Sequence, residues 1–167
     1  MDVAQDAKAW RVSHRGQQWD IAWYPPPHPL AGTAHGSAAV CWAHGQVVLV
    51  SSDAQLWGLP GGRPEPGEDW LDVLHREIAE EACALVTAQR LLGYSRGVCI
   101  RGHEAGPVLV RAWWAATVDL QPWQPQHEIS HRKLVAPQHV YAAIWVEDGY
   151  APLYRRILSE AGQGGPH

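Results

Sequence analysis

Glu77, Glu80 and Glu81 stand at i, i+3 and i+4 within GGRPEPGEDWLDVLHREIAEEACA, which spans residues 61–84. On a helix that spacing crowds three carboxylates onto one face. Like charges so placed destabilise an isolated helix by roughly a few tenths of a kcal/mol per pair. Something positive is needed to offset the repulsion. A hard divalent cation such as Mg²⁺ or Mn²⁺ suits the position, because it takes oxygen ligands and retains waters beside a phosphate. The plainer reading, a solvated acidic helix face, leaves the glycine-rich lead-in and Arg76 unexplained.

The wider spacing is more specific. From Gly62, five residues lead to Glu68, seven more lead to Arg76, and Glu77-Ile78-x-Glu80-Glu81 follows. This resembles the Nudix box, G-x5-E-x7-R-E-U-x-E-E-x-G-U with U a bulky aliphatic residue. The box marks hydrolases that cleave a nucleoside diphosphate linked to another moiety. Seven of the nine specified positions are met. Cys83 replaces the box glycine and Ala84 is small where bulk is usual. The run Trp57-Gly58-Leu59-Pro60-Gly61 also resembles the family's lead-in. The resemblance is strongest over residues 36–84, extends more loosely to about 160, and does not reach the first 35 residues.

The same stretch is readable from its own chemistry. Pro60-Gly61-Gly62 and Pro64-Glu65-Pro66-Gly67 are turn signals that compact the loop. Glu68 and Asp69 fall where a helix N-terminus favours carboxylates. Leu71, Leu74 and Ile78 recur at helical spacing and predict the buried stripe, flanked by Trp70 and Val73. Glycines let backbone carbonyls approach an ion. Arg76, i, i+4 from Glu80, can brace a carboxylate. Left-handed backbone at Cys83 would cost about 1 kcal/mol or more. The easier outcomes are a different helix end or Cys83 packed as a small hydrophobe.

Around that segment, 167 residues with 46% hydrophobic content suffice for one domain with a core. A net charge of −4 without a Lys/Arg run argues against gripping a long nucleic acid. No leader pattern and no apolar run near 18 residues is evident, which predicts neither secretion nor membrane spanning. Cys41, Cys83 and Cys99 lack metal-type pairing and fit a cytoplasmic protein with reduced thiols.

Residues 1–9 read as a loose start and 18–24 as a short strand, ended by Pro25-Pro26-Pro27-His28-Pro29. Residues 37–43 and 47–51 form a hairpin signal around His44-Gly45-Gln46. Residues 85–94 and 98–101 are strand material, 102–107 a loop, and 108–119 a strand buried on both faces. Pro122 and Pro125 break it, Pro137 opens a helix to about Trp145, and 151–161 is a final helix.

The resemblance implies an α/β fold of the Nudix type, an α/β/α sandwich with a mixed sheet between helices. The expected division is an extension over 1–35 with a strand and a Pro-rich loop, the domain over 36–161, and a tail over 162–167. N-terminal elements of this kind contribute to substrate selection or dimer contacts in many family members, which leaves room for a homodimer. The resemblance further implies Glu77, Glu81 and the Gly61 carbonyl as metal ligands, with Glu80 direct or through water. It also implies that Glu68 supports the loop and helix, through Arg76 as one route, and in some members reaches the metals. The general base is open: Glu128 lies where many members carry a further glutamate, Glu104 is second, and an ordinary loop carboxylate is the alternative for both.

The expected reaction is Mg²⁺- or Mn²⁺-dependent cleavage of a phosphoanhydride in a small nucleotide by metal-activated water. Trp57 and Arg63 are candidate substrate contacts. Trp113, Trp114 and Trp123 could also stack a base, although a strand Trp is more often core. His75, His127 and His131 have no ligand spacing and read as surface residues. Around 97–102, subclass markers for ADP-ribose or dinucleoside polyphosphates are missing, and no NADH-type run follows. Two other classes stay open. A nucleotide-sensing domain without turnover usually loses box carboxylates, and all four are present here. An isopentenyl-diphosphate isomerase would need a catalytic cysteine and glutamate in defined positions; Cys41 lies in an expected strand, with no surrounding motif to support that role.

Overall fold

The computed structural model describes residues 9–27, 31–102 and 105–162. In chain order the elements are β1 (Ala9–His14), β2 (Gln17–Tyr24), β3 (Thr33–Ala43), β4 (Gln46–Ser51), β5 (Gly61–Gly62), α1 (Trp70–Ala82), β6 (Ala84–Arg101), β7 (Val108–Leu120), β8 (His131–Val135), α2 (Val140–Ala143) and α3 (Ala151–Gly162). The strands form one sheet in the order β1-β2-β6-β7-β3-β4-β8, and β5 also pairs with β3. The β3–β7 pair is parallel and the other ladders are antiparallel.

Side-chain alternation divides the core into two layers. Val40 and Trp42 of β3, with Val47 and Leu49 of β4, pack with Val140, Leu153 and Ile157. Ala39 and Cys41, with Val48 and Val50, face the other way and pack on Leu74, Ile78 and Ala82 of α1. The central strands are thus apolar throughout because both faces are covered. The result is an α/β/α sandwich with a mixed sheet. Two tight turns set the hairpin registers, each with two successive positive-φ residues: Arg15-Gly16 and His44-Gly45.

Several elements differ from the sequence expectation. β1 pairs along β2, which pairs with β6, so residues 9–24 extend the main sheet. Residues 1–8 of the expected loose start, positions 28–30 of the Pro-rich segment, Glu104 and residues 163–167 lie outside the described residues. The two segments expected over 85–101 are one strand, continued past irregularities near Val86 and Gly93. At Gly93 a side chain would drive into Trp23. The helix expected over 137–145 is a 3-10 turn at Pro137–His139 followed by α2. Extended backbone at Ile144 ends it, and the Trp145 N–H donates to the Trp57 carbonyl at 2.8 Å. Leu71 is exposed; the buried stripe of α1 is Val73, Leu74, Ile78 and Ala82.

Both ends of α1 are held. Asp69 caps it, accepting from the Leu71 and Asp72 N–H groups, while the Asp72 carboxylate accepts from the Asp69 N–H. At the other end Cys83 does adopt the left-handed conformation, with φ 49° and ψ 53°, against the expectation of a changed helix end. Arg132 of β8 explains how the cap survives. Its Nη1 donates to the Ala82, Cys83 and Gln121 carbonyls at 2.8, 3.1 and 3.1 Å. That supplies the cation and the donor that a helix C-terminus favours. Cys83→Gly should therefore stabilise the protein by a few tenths to about 1 kcal/mol, since relieved left-handed strain exceeds the added chain entropy. A urea titration with unchanged slope and a higher midpoint is expected; a lowered midpoint would mean that the cysteine side chain contributes more than its strain costs.

Candidate active site

The lead-in loop is fastened to the sheet before α1 begins. Gly58 and Val50 exchange backbone hydrogen bonds at 3.0 Å, and the Ala39 N–H donates to the Pro60 carbonyl at 3.1 Å. Gly61 and Gly62 then pair with Ala38 and Ser37. Glycine is needed at both places. A β-carbon on Gly61 would overlap Ala38, and one on Gly62 would overlap the Glu77 carboxylate. The loop backbone therefore lies directly against the acidic helix.

Arg76 organises the carboxylates. Its Nε and Nη2 grip Glu68 at 2.7 and 2.8 Å. Its Nη1 donates to Glu77 Oε1 at 2.8 Å and Glu80 Oε2 at 3.2 Å, and Nη2 also donates to the Arg63 carbonyl at 3.0 Å. Glu68 additionally accepts from the Glu65 N–H. Its carboxyl is held below the ordinary range, chiefly by the Arg76 hydrogen bonds. Arg76 is raised in return, first by Glu68 and also by Glu77. Glu68 is thus engaged in bracing the loop.

Glu81 behaves differently. It accepts from the Gly61 N–H at 3.0 Å, yet burial pushes it up to about 7, and the charges of Glu77, Glu80 and Glu128 add to the rise. That interaction puts exposed Glu128 within electrostatic reach of the helix cluster. The loop carrying Glu128 is anchored by Ser130, whose N–H and hydroxyl donate to the Ser51 and Ser52 carbonyls at 3.1 and 2.9 Å.

Trp57 borders the loop with Lys133 Nζ 4.1 Å from its ring centre. Trp123 carries Arg132 at 5.0 Å. Trp113 is buried, its indole N–H donating to Ser95, while Trp114 faces the other side and donates to Ser37. His75, His127 and His131 are exposed.

The donor chemistry fits a hard divalent cation: a loop carbonyl and carboxylates, with one carboxylate made costly by burial and repulsion. Among the described residues, no three His, Cys, Asp or Glu side chains already converge on a point that could hold an ion. Arg76 engages one oxygen each of Glu77 and Glu80, leaving the second of each outside that contact.

One feature lies outside the expected site residues, a cleft of about 570 Å³ on the sheet face away from α1. β2, β6 and β7 form its floor, and Tyr150 and Tyr154 stand in its wall. Arg63 reaches it from the loop, and Arg111 rises into it from β7. The available signal was a lone arginine inside the apolar run of residues 108–118.

The raised Glu81 gives a signed pH prediction for the metal-free protein. Between about 4.5 and about 7 the unfolded chain has released this proton while the folded chain still binds it. Stability should fall as pH rises through that window and level off above it. Melting curves in EDTA should show this loss in the wild type and a flatter profile in Glu81→Gln. Parallel profiles would contradict the assigned environment.

A NUDIX domain family model matches residues 34–157. No curated protein matches. Among solved structures, a Bacillus subtilis pyrophosphohydrolase superposes with a TM-score of 0.67 at 18% identity, covering 92% of this chain and 98% of that one. A NUDIX hydrolase from Nitrosomonas europaea gives 0.60 at 19% identity, over 79% of this chain and 90% of that one. An ADP-ribose pyrophosphatase from Streptococcus suis gives 0.58 at 19% identity, over 81% and 97%. At these identities the superpositions show a shared fold.

Proposed function

The chain belongs to the Nudix hydrolase family, and from that membership and its carboxylate cluster we propose a divalent-metal-dependent nucleotide pyrophosphohydrolase. Its substrate is a nucleoside di- or triphosphate or a related derivative, cleaved at a phosphoanhydride by water attacking phosphorus. The observation that carries the reading is Glu81, partly buried near three further carboxylates and fixed to the glycine loop. The names of the pyrophosphohydrolase and ADP-ribose pyrophosphatase neighbours are consistent with it.

Glu77, Glu81 and the Gly61 carbonyl would hold Mg²⁺ or Mn²⁺, with Glu80 direct or through water. When bound, the cation supplies charge neutralisation at phosphate oxygens and acidifies water. Glu77 would lean partly off Arg76 to join such a set, while Arg76 keeps the loop placed through Glu68 and the Arg63 carbonyl. Glu128 stands nearby as the candidate to take the proton from the attacking water.

Cys41 does not serve the isomerase alternative. It is fully buried, and burial raises its thiol pKa far above the ordinary value. No helix among the described residues is long and apolar enough to cross a membrane. The β1–β2 hairpin lines the cleft through Trp19 and Ile21, which supports a substrate-selecting role for the N-terminal segment.

A nucleotide panel with coupled phosphate detection should show no turnover in excess EDTA and recovery with Mg²⁺ or Mn²⁺. Glu77→Gln and Glu81→Gln should each lower kcat at least about a hundredfold with the fold intact. Glu128→Gln should lower kcat strongly and alter the acidic limb of the pH–rate profile with little change in substrate binding. Undiminished activity after chelation would overturn the metal reading; a silent Glu128→Gln would move the base elsewhere.

A further inference from the structure

The Arg111 guanidinium stands in the cleft with no carboxylate partner among the described residues. Its neighbours are the Trp113 ring, 5.9 Å from Cζ, and two tyrosines that stay neutral. Arg63, the next cation, repels it. Desolvation acts on Arg111 more strongly than any neighbour and pulls it below its ordinary value. Holding a guanidinium there without a counter-charge is unfavourable unless another molecule supplies one.

Its position is fixed by the sheet. Arg111 pairs with Gly36, and a β-carbon on Gly36 would lie 3.1 Å from Arg111 Nε and 3.2 Å from the Gly62 carbonyl. One missing side chain therefore separates the cleft floor from the loop beside Glu77. Arg63 spans the same gap, with its carbonyl held by Arg76 and its side chain in the cleft. Arg15, in the β1–β2 turn, adds a cation at the rim. The acidic residue lining the cleft, Glu147, is paired with His14.

We propose that this cleft binds the part of the substrate remote from the scissile bond, and that Arg111 selects substrates whose remote part carries a phosphate of its own. This rests on the hydrolase reading for the word substrate, while the binding itself does not. A phosphate matches the guanidinium fork with two parallel hydrogen bonds, which a neutral base edge or hydroxyl cannot equal in charge. Tyr150 and Tyr154, half-buried in the wall and backed by the buried Trp113, offer aromatic surface against which a nucleoside could pack. The volume is sufficient for a nucleotide. The substrate class is thus a nucleoside diphosphate derivative bearing a further phosphomonoester, for example on a ribose hydroxyl.

The test is equilibrium binding in excess EDTA of adenosine 5′-monophosphate, guanosine 5′-monophosphate, and adenosine 2′,5′- and 3′,5′-bisphosphates. At least one bisphosphate should bind tenfold or more tightly than adenosine monophosphate. Arg111→Gln should erase that advantage, and Arg111→Lys, which keeps the charge without the fork, should retain part of it. Melting curves of both variants establish that they are folded, and the lysine variant carries the test if the glutamine variant is not. Equal binding of mono- and bisphosphates would overturn the proposal, as would a preference that survives both substitutions. So would an Arg111-dependent choice of guanosine over adenosine monophosphate with no gain from a second phosphate. Because nothing is turned over, these failures leave the hydrolase reading standing. Conversely, an absence of hydrolysis would leave the binding result interpretable.

Discussion

Four carboxylates gathered within one short helix and its lead-in would repel one another, and Arg76 is the contact that makes the arrangement foldable. One guanidinium grips Glu68, touches Glu77 and Glu80, and holds the Arg63 carbonyl. The loop is thereby tied to the helix that it precedes. Arginine suits this position because its planar fork distributes donors to several acceptors at once. The charge that Arg76 does not reach is Glu81, and its carboxyl is the one raised to about 7.

The remaining framework serves that face. Leu74, Ile78 and Ala82 anchor α1 to Ala39, Cys41, Val48 and Val50, so the acidic face is turned toward the loop. Gly61 and Gly62 let the loop lie flat against β3 and Glu77. Arg132 performs a second task at the far end. It satisfies the last helix carbonyls and Gln121, and joins the helix to the segment that brings Glu128 near Glu81. One structural cation at the middle of α1 and another at its C-terminus thus position acidic groups.

What was legible in the sequence had local causes. The turn residues, the 3.6-residue spacing of Leu74 and Ile78, and the acidic triplet each act within a few positions of one another. The long apolar strands announced themselves because they are covered on both sides. β8 was not visible, because His131-Arg132-Lys133 opens it with polar residues whose partner is β4. The strand β1 carries Arg11 and His14 and is defined by its pairing with β2. Cys83 was read from intrinsic cost alone, whereas Arg132, 49 residues away, holds the chain in the costly conformation. The cleft around Arg111 draws on residues from His14 to Tyr154, and no window of sequence contains it.

Under the proposed function, the carboxylates held by Arg76 would exchange part of that contact for a divalent cation. Anomalous diffraction from crystals grown with Mn²⁺ tests it most directly. A Mn²⁺ peak is expected among the Gly61 carbonyl, Glu77 and Glu81, with Glu77 drawn away from Arg76 while the Arg76–Glu68 grip is retained. Saturating Mn²⁺ with no peak at that position, and Glu77 still on Arg76, would contradict it.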